Sequence, residues 1–588
     1  MLQGFLNRAN QDKPVYLCQV RDAFIRAGQL PFTCRVTLYD GTARHFPLPL
    51  PPFAEGEESA FVAAYLHASL YNILSALGAV RIDLYLDMAH PPLRRLAESV
   101  NEVFQTALPK SQRTGYGKCL NVNERILRAL RGGGEPFRFC LHDASEEPAS
   151  PPPQPARTAG GVFAKLPAAA ADKLVMGMDV GGTDIKLVAS VCGELKVFKE
   201  YDWFPPAFTT AEEMIDPLLL LTRVMRAAAS LAAAGREDQM DRAALDRHAA
   251  LQDMLHGAEA MERAAGTALR NFDAIGLSFP DVVIRNRIVG GESPKTVGMR
   301  DNKAIDYEVQ LSKLTGLSSR LEAYVRPGGP VLIVNDGPMA AFTTAVEQAA
   351  IGRSMTAGFF AHTLGTDLGT GWVLPDGSIP EIPLEVYNFI VDLGSFPQRR
   401  YEAGDVRSVN NFGTHLPGTL QKYAGQSGVF RLAAKELPHK SPALWQAALD
   451  RGFFVWQGDQ LSVPVEPNDL RKPCLEFLME QASQDETCAG IFRQVGEALG
   501  ACWAETEYIL SPEAKDRTLF GRLVKDAACF RLIREGAQRM VPGLRLYTAD
   551  GSLANTTLMK QLARHPDYTV AQFAQAVGAV FYACLPLV

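Results

Sequence analysis

The sequence lacks several signals that would assign a class of protein at once. Its ten cysteines are scattered and form no Cys-x-x-Cys pair, which argues against a structural zinc site. The Gly-x-x-x-x-Gly-Lys-Ser/Thr pattern of a P-loop is absent, so any nucleotide binding must use another kind of turn. The first residues also lack the apolar core of a signal peptide.

Strong charge and long apolar runs are missing as well. The formal net charge is -6 over 588 residues, which argues against a dominant nucleic-acid surface. The richest apolar stretch, 218–234, is interrupted by Arg223 and Arg226, so no membrane span is expected. Unpaired cysteines favour a reducing compartment, and the sequence therefore predicts a cytoplasmic protein with no membrane or nucleic-acid partner.

The most informative segment runs from Leu174 to Ala189. Its apolar residues predict two strands joined by a Gly-Gly turn, which permits positive φ and a close approach of the backbone to a ligand. The carboxylate of Asp179 is suited to Mg²⁺, and Thr183 and the turn N–H groups are suited to phosphate oxygens. This segment predicts a phosphate-binding hairpin.

Two later segments support that interpretation. The apolar run 330–334 ends in Asn335-Asp336 and is followed by Ala-rich sequence typical of a helix, which puts an acid at a strand end. The stretch from Phe359 to Gly377 then repeats the first pattern, with a strand, a Gly-Thr turn and a second strand. Two such hairpins on either side of an acid predict ATP chemistry.

In order and spacing these motifs resemble those of the actin-like ATPase and sugar-kinase superfamily, and within it hexokinases and ROK-type glucokinases. The resemblance covers about residues 172 to 588. It implies an α/β fold with two ribonuclease H-like lobes around a cleft, ATP and Mg²⁺ as cofactors, and a small sugar or polyol as substrate. An additional small N-terminal α+β domain is expected from the strand patterns at 34–39 and 80–86.

The resemblance also implies roles for individual residues. Asp336 would be the catalytic base and Asp179 would hold the metal. Phosphate or ATP contacts would come from Gly181, Gly182, Thr183, Lys186, Gly365, Thr366, Gly369, Thr370 and Gly551. Substrate contacts would come from Asn335, Ser278, Lys295, Thr296 and Glu385.

The sequence departs from the ROK pattern in two ways. The zinc motif and the Gly-Glu-x-Gly-His sugar motif of that group do not occur, which leaves the identity of the sugar open. The usual C-terminal Gly-rich adenosine turn is also missing, unless Ala549 to Leu553 replaces it. Nucleotide preference is accordingly less constrained than phosphate binding.

Composition predicts the domain boundaries. Residues 1–144 would form the N-terminal domain, the Pro- and Ala-rich 145–171 a linker, and 172–345 and 346–588 the two kinase lobes. Helical composition from 210 to 271 predicts helices that cap the first sheet or build an oligomer contact, as in a homodimer.

Three functions remain open on the sequence alone. The leading prediction is an ATP-dependent sugar kinase. The others are a non-catalytic sugar or nucleotide sensor whose N-terminal domain carries the output, and an ATPase of the same fold that is coupled to a protein partner. The presence of Asp179, Asp336 and both Gly-Thr turns favours catalysis, because a sensor does not need the acid.

Overall fold

A computed structural model describes residues 1–132, 136–149, 161–290, 294–365, 368–395, 404–548 and 553–588. The chain divides into two compact units. Unit 1 comprises Met1–Pro155, His362–Thr370 and Ile382–Thr548, and unit 2 comprises Ala156–Ala361, Gly371–Glu381 and Ala549–Val588.

The described residues contain seventeen strands. They are β1 (Phe32–Thr37), β2 (Ala43–Pro47), β3 (Arg81–Leu86), β4 (Phe139–Asp143), β5 (Leu174–Val180), β6 (Asp184–Val191), β7 (Glu194–Asp202), β8 (Ala274–Phe279), β9 (Val283–Ile284), β10 (Arg287–Ile288), β11 (Val331–Asn335), β12 (Phe359–Leu364), β13 (Leu368–Val373), β14 (Val455–Gln457), β15 (Gln460–Ser462), β16 (Arg517–Phe520) and β17 (Leu546–Thr548).

The same residues contain twenty-one α-helices. They are α1 (Leu2–Asn10), α2 (Leu17–Ala27), α3 (Glu57–Leu77), α4 (Pro91–Glu98), α5 (Val100–Val103), α6 (Lys118–Arg131), α7 (Val162–Ala170), α8 (Glu212–Ala233), α9 (Arg242–Leu245), α10 (Leu251–Ala265), α11 (Val297–Asp301), α12 (Tyr307–Thr315), α13 (Leu317–Leu321), α14 (Asp336–Ala350), α15 (Gly425–Lys440), α16 (Pro442–Asp450), α17 (Arg471–Gln481), α18 (Glu486–Leu510), α19 (Ala527–Met540), α20 (Thr557–Ala563) and α21 (Val570–Ala583).

Unit 2 is built on a five-stranded mixed sheet in the order β11-β8-β5-β6-β7. Strands β5, β6 and β7 form an antiparallel meander, and β5, β8 and β11 run parallel. This arrangement is that of a ribonuclease H-like lobe, so the predicted α/β fold class is confirmed for this unit. The predicted hairpin of 174–189 and the strand that ends at Asn335 are both present.

Small residues let helix α21 pack directly on the sheet of unit 2. A Cβ atom at Gly177 would lie 1.9 Å from the carbonyl oxygen of Ala576, and one at Gly276 would lie 1.9 Å from that of Ala579. Helix α21 is itself close to α14, because a Cβ atom at Gly578 would lie 1.8 Å from Oγ1 of Thr343. The C-terminal helix therefore fixes α14, and with it Asp336, against the sheet.

Unit 1 contains the N-terminal sheet β2-β1-β3-β4 and most of a four-stranded sheet in the order β13-β12-β16-β17. Helices α2 and α3 contact α18. The buried side chains of Arg21 and Glu505 form an ion pair between α2 and α18. The predicted α+β character of the first segment is confirmed, since β1 and β3 overlap the predicted strand patterns at 34–39 and 80–86 and the long helix α3 lies between them in the chain.

The boundaries of the two units differ from the predicted segments. The N-terminal residues share unit 1 with 382–548, because apolar faces of α2 and α3 are buried against α18. The extended linker expected over 145–171 is helical at α7, where Phe163 and Leu166 are buried despite Pro167. Apolar residues at helical spacing prevailed there over the Pro- and Ala-rich composition.

Two apolar helices bear on the expectation that the chain has no membrane span. Among the described residues, Glu57–Leu77 and Val570–Leu587 are long and apolar enough to cross a membrane by length and composition. Within their most apolar windows, 78% and 61% of the residues are buried inside the protein. Core helices pass the same test, so this finding is weak evidence for a membrane span.

Candidate functional site

Three parallel strands of unit 2 bring the first group of predicted residues together. In register, Asp179 of β5 lies beside Ser278 of β8, which lies beside Val334 of β11. Asp336 follows two residues later, as the first residue of α14. Two acids thus lie at the carboxyl ends of β5 and β11, the two strands on either side of β8, where ligand sites of α/β sheets gather.

Asn335 fixes the start of helix α14. Its Oδ1 accepts a hydrogen bond of 3.0 Å from the N–H of Gly337, and its Nδ2 donates one of 2.7 Å to the carbonyl oxygen of Asp281. This side chain is an N-cap that also ties the helix to the loop after β8. Both ends of the amide that was predicted to bind sugar therefore have backbone partners.

The carboxylate of Asp336 lies at the N-terminus of that helix. Its Oδ1 accepts a 2.8 Å hydrogen bond from the N–H of Gly337, and its Oδ2 lies 4.0 Å from Nζ of Lys295. The side chain is 46% exposed, yet desolvation by the surrounding protein raises its pKa above the ordinary value. Lys295 and the helix N–H groups lower the same pKa and limit the rise.

Lys295 connects this acid to the predicted phosphate turn. A Cβ atom at Gly182 would lie 3.2 Å from Cε of Lys295, so the lysine side chain passes beside the turn. Its ammonium group therefore faces Asp336 from the direction of the first hairpin. Lys295 was predicted as a substrate contact. In the structure its side chain lies between the predicted phosphate turn at Gly182 and the carboxylate of Asp336.

Asp179 is the second acid of the site. Desolvation raises its pKa to about 6, the hydroxyl of Ser278 and the charge of Lys186 lower it, and the charges of Asp336 and Asp184 raise it. Asp336 is thus close enough to oppose the ionisation of Asp179. Two carboxylates that repel each other in a desolvated position suit a divalent cation.

Ser278 supports Asp179 from within the core. Its side chain is fully buried, its hydroxyl donates to Oε1 of Gln575 on α21 at 3.2 Å, and it lowers the pKa of Asp179. Thr296 is also buried, with its hydroxyl 2.9 Å from that of Tyr307. Neither hydroxyl of these two predicted substrate contacts is on the surface.

The first hairpin turn is held by its own backbone and by a tryptophan. The N–H of Gly181 donates to the carbonyl oxygen of Asp184 at 2.8 Å, and Nε1 of Trp203 donates to the carbonyl oxygen of Gly181 at 3.0 Å. Neither turn glycine has the positive φ that the sequence suggested. Close approach explains Gly181, because a Cβ atom there would lie 2.7 Å from the carbonyl oxygen of Asp184.

The remaining residues of the hairpin differ in exposure. Thr183 is exposed at the tip. Lys186 is mostly buried, with Nζ 2.5 Å from Oδ1 of Asp184, so its ammonium group has a local partner. Sequence reasoning assigned no role to Trp203 or Gln575, which lie outside the motifs, or to Asp184, which lies within the first hairpin motif.

The second predicted phosphate hairpin comprises β12 and β13. In unit 1, Thr370 is buried, with its hydroxyl 3.2 Å from Nδ1 of His362. Nε2 of His362 accepts a 2.8 Å hydrogen bond from Nε1 of Trp503, so Nδ1 carries the proton and donates to Thr370. Gly365 and Gly369 are half-buried. Thr366 and Gly551 lie outside the described residues.

Strand β13 continues into unit 2 and contacts the start of helix α14. A Cβ atom at Gly371 would lie 2.3 Å from the carbonyl oxygen of Gly337 and 2.6 Å from Cβ of Ala341. A glycine is therefore required where the second hairpin meets the first turn of that helix. Gly371 belongs to the second hairpin motif, but only its packing against α14 explains why the residue is a glycine.

Two acids that follow the second hairpin have local partners, and one of them, Glu385, was predicted as a substrate contact. Glu381 of unit 2 pairs with Arg285 at 2.6 Å. Glu385 belongs to unit 1, where its N–H donates to the carbonyl oxygen of Ser75 at 2.9 Å and its Oε2 accepts from Nδ2 of Asn388 at 3.2 Å. Glu385 thus lies beside helix α3 of the N-terminal segment.

The chain matches no known family model, and no curated protein matches it. Solved structures do match. A ROK family glucokinase from Streptomyces griseus in complex with glucose and AMPPNP is 17% identical, with 69% of this chain and 98% of that chain covered and a TM-score of 0.35. A ROK hexokinase from Thermus thermophilus is 17% identical, with 70% and 99% covered and a TM-score of 0.35.

A glucokinase from Balamuthia mandrillaris in complex with glucose is 10% identical, with 69% of this chain and 99% of that chain covered and a TM-score of 0.36. These proteins are of the kinds whose motifs the sequence resembles. Because each of these TM-scores is below 0.5, the likeness carries no weight in assigning a function.

Proposed function

We propose that this chain is an ATP- and Mg²⁺-dependent kinase that phosphorylates a hydroxyl of a hexose or a related sugar or polyol. The observation that carries the proposal is the path of Lys295. Its side chain runs from the Gly182 turn to within 4.0 Å of the carboxylate of Asp336. A phosphate-binding turn, a cation and an acid at a helix N-terminus then adjoin one another, and phosphoryl transfer requires all three.

Asp336 is the proposed general base. It accepts the proton of the substrate hydroxyl as that oxygen attacks the γ-phosphorus, and such help is worth about 10²–10⁴-fold in rate. Its position supports this role, because the Asn335 cap fixes the first turn of α14 while nearly half of the side chain remains exposed. In this proposal Asn335 positions the base, and a sugar contact is secondary.

Asp179 is the proposed ligand for Mg²⁺. Mg²⁺ is usually held by one or two carboxylates, with phosphate oxygens and water completing the octahedron. Asp179 offers one carboxylate two residues before the Gly181-Gly182 turn, which fits this mode. Bound Mg²⁺ would neutralise charge on the triphosphate, and Ser278 would orient the Asp179 carboxylate.

Phosphate binding is assigned to the turn formed by Gly181, Gly182 and Thr183, with Lys295 as the charged partner. Gly365, Thr366, Gly369, Thr370 and Gly551 remain predicted ATP contacts. Lys186 is assigned a supporting role, since its ammonium group is paired with Asp184 and lowers the pKa of Asp179. Thr296 is assigned to local structure through Tyr307, and Glu385 remains a predicted substrate contact.

The test is ADP release by the purified chain with Mg·ATP across a panel of hexoses, hexosamines and polyols. Asp336→Asn is the informative variant. Asp253→Asn is the matched control, because Asp253 is an exposed residue of α10 in the same unit. We expect sugar-dependent release from the parent chain and the control, and at least about a hundredfold less from Asp336→Asn.

Other outcomes would favour the other functions. Binding of sugar or ATP without any sugar-dependent ADP release would support a sensor. ADP release that no sugar or polyol stimulates, and that Asp336→Asn still abolishes, would support a partner-coupled ATPase. Release equal in Asp336→Asn and the parent would remove Asp336 from the mechanism.

A further inference from the structure

A polar pocket in unit 1 has no part in the proposed kinase reaction. The backbone of 15–17 pairs with that of 391–393, with the N–H of Leu17 donating to the carbonyl oxygen of Val391 at 2.9 Å. Seven polar side chains line the pocket beside this pairing: Asp12, Tyr16, Asp392, Tyr423, Arg431, Lys435 and Gln494. We call it the Arg431 pocket. Its wall includes the N-terminal segment, for which the kinase reaction gives no role.

Arg431 is the central side chain of the pocket. The residue is 8% exposed, and its guanidinium stacks on the ring of Tyr423 at 4.2 Å. Its Nε donates to the carbonyl oxygen of Lys422 at 2.7 Å. Within the described ranges this is the only hydrogen bond of the side chain, so the two terminal nitrogens have no protein acceptor. A buried guanidinium is costly unless its N–H groups are satisfied.

Two more polar groups in the pocket have no hydrogen-bond partner in the part of the chain that the structure describes. They are the hydroxyl of Tyr16, a residue only 5% exposed, and the amide of Gln494 on α18. Both can donate to the same ligand as Arg431. Three donors without a partner among the described residues thus line one pocket and are available to an acceptor-rich ligand.

The acids of the pocket are already satisfied. Asp392 accepts hydrogen bonds of 2.7 Å from the N–H groups of Val15 and Gly394 and from the hydroxyl of Tyr423. Asp12 is paired with Lys435 at 2.6 Å. The positive charge of Arg431 faces Asp392, whose carboxylate uses its oxygens on these other donors. The pocket therefore has more hydrogen-bond donors than its own carboxylate oxygens can accept from.

From these contacts we infer that the Arg431 pocket binds a small oxyanion, the phosphate or carboxylate end of a metabolite. The guanidinium edge offers paired N–H groups in the geometry that both oxyanions accept. The inner part of the pocket is narrow, so it takes the end group of a ligand and leaves the rest at the mouth. This inference gives the N-terminal segment a part in an anion site of unit 1, whereas Asp179 and Asp336 belong to unit 2.

Isothermal titration of the full chain with inorganic phosphate, and separately with acetate, tests the inference. Gln494→Glu places a negative charge in the pocket. Because the Gln494 side chain makes no hydrogen bond within the described residues, this variant should still fold. Arg431→Gln removes the guanidinium. Gln484→Glu is the control, since it makes the same charge change at an exposed position of the same unit.

We expect the parent chain and Gln484→Glu to bind at least one of the two anions, with affinity at least about tenfold lower in Gln494→Glu and Arg431→Gln. Binding of phosphate alone would identify a phosphate end group, and binding of acetate a carboxylate. Absence of binding of both anions to the parent would overturn the inference. So would affinity unchanged in both pocket variants, which would locate the anion elsewhere, for example at the Gly181-Gly182 turn.

Discussion

Nζ of Lys295 lies 4.0 Å from Oδ2 of Asp336, and the same lysine side chain passes beside Gly182. Two sequence motifs that are about 150 residues apart, the first hairpin and the Asn335-Asp336 strand end, are thereby linked by a residue that belongs to neither. Lys295 lowers the pKa of Asp336 and brings positive charge to the turn. Four predictions follow from this arrangement and from the acids around it.

Replacing Lys295 with Met should change the pH profile of turnover. A general base must be deprotonated, and loss of the cation raises the pKa of Asp336, because Lys295 lowers it. The acidic limb of the kcat/KM profile should therefore move to higher pH, and the KM for ATP should rise. Lys303→Met, at an exposed lysine of the same unit, should leave both unchanged. An unmoved acidic limb in Lys295→Met would contradict the assigned pairing.

The two turn glycines should respond differently to alanine. At Gly181 the new Cβ would lie 2.7 Å from a backbone oxygen, so Gly181→Ala should lower the free energy of unfolding by about 1–3 kcal/mol. At Gly182 it would lie 3.2 Å from the flexible end of Lys295, so stability should change by less than about 1 kcal/mol. Urea denaturation measures both changes.

Gly182→Ala should instead affect function, because the added methyl group displaces Lys295. The KM for ATP should rise while the unfolding midpoint stays near that of the parent. If both alanine variants lost equal stability, the backbone contact at Gly181 would not be the reason for its glycine.

Asp179 should make stability depend on pH in mildly acid solution. Its pKa in the folded chain is about 6, above an unfolded value of about 3.9. Because the folded pKa is raised, the proton bound to the Asp179 carboxyl stabilises the folded chain. This contribution to the free energy of unfolding is complete below about pH 4 and is lost as the pH rises through about 6. Asn cannot ionise, so Asp179→Asn should gain about 1–3 kcal/mol relative to the parent between about pH 4 and pH 7.

Denaturant unfolding in that pH range, without nucleotide or metal, measures the gain. Asp253→Asn, at an exposed acid, should follow the parent at every pH. A difference between Asp179→Asn and the parent that stays constant with pH would show that the folded pKa is not raised. At neutral pH the same variant should lose Mg²⁺-dependent activity.

Much of unit 2 could be predicted from the sequence because its signals are local. Alternating apolar residues and a Gly-Gly turn specify the β5–β6 hairpin, and an apolar run that ends in Asn335-Asp336 specifies the strand and helix that follow. The acid edge was predictable too, since parallel strands end on the same side of a sheet. Register then brought Asp179 and Ser278 side by side.

The partners of these residues could not be predicted, because they come from distant parts of the chain. Ser278 has the right position for a sugar contact in the motif, yet it is buried against Gln575, almost 300 residues later. The side-chain amide of Asn335 caps helix α14 and donates to the carbonyl oxygen of Asp281, and the position of the Asp281 loop is not evident from the sequence. The inclusion of the N-terminal residues in unit 1 depends on packing with α18, and no local pattern in 1–144 indicates it.

The most direct test of the kinase assignment is transfer of labelled γ-phosphate from Mg·ATP to a sugar, measured for the parent chain, Asp336→Asn and Asp253→Asn. We expect a labelled sugar phosphate from the parent and from Asp253→Asn. We expect at least about a hundredfold less from Asp336→Asn, with sugar binding retained. Equal transfer by Asp336→Asn, or no transfer by the parent to any hexose, hexosamine or polyol tested, would contradict the assignment.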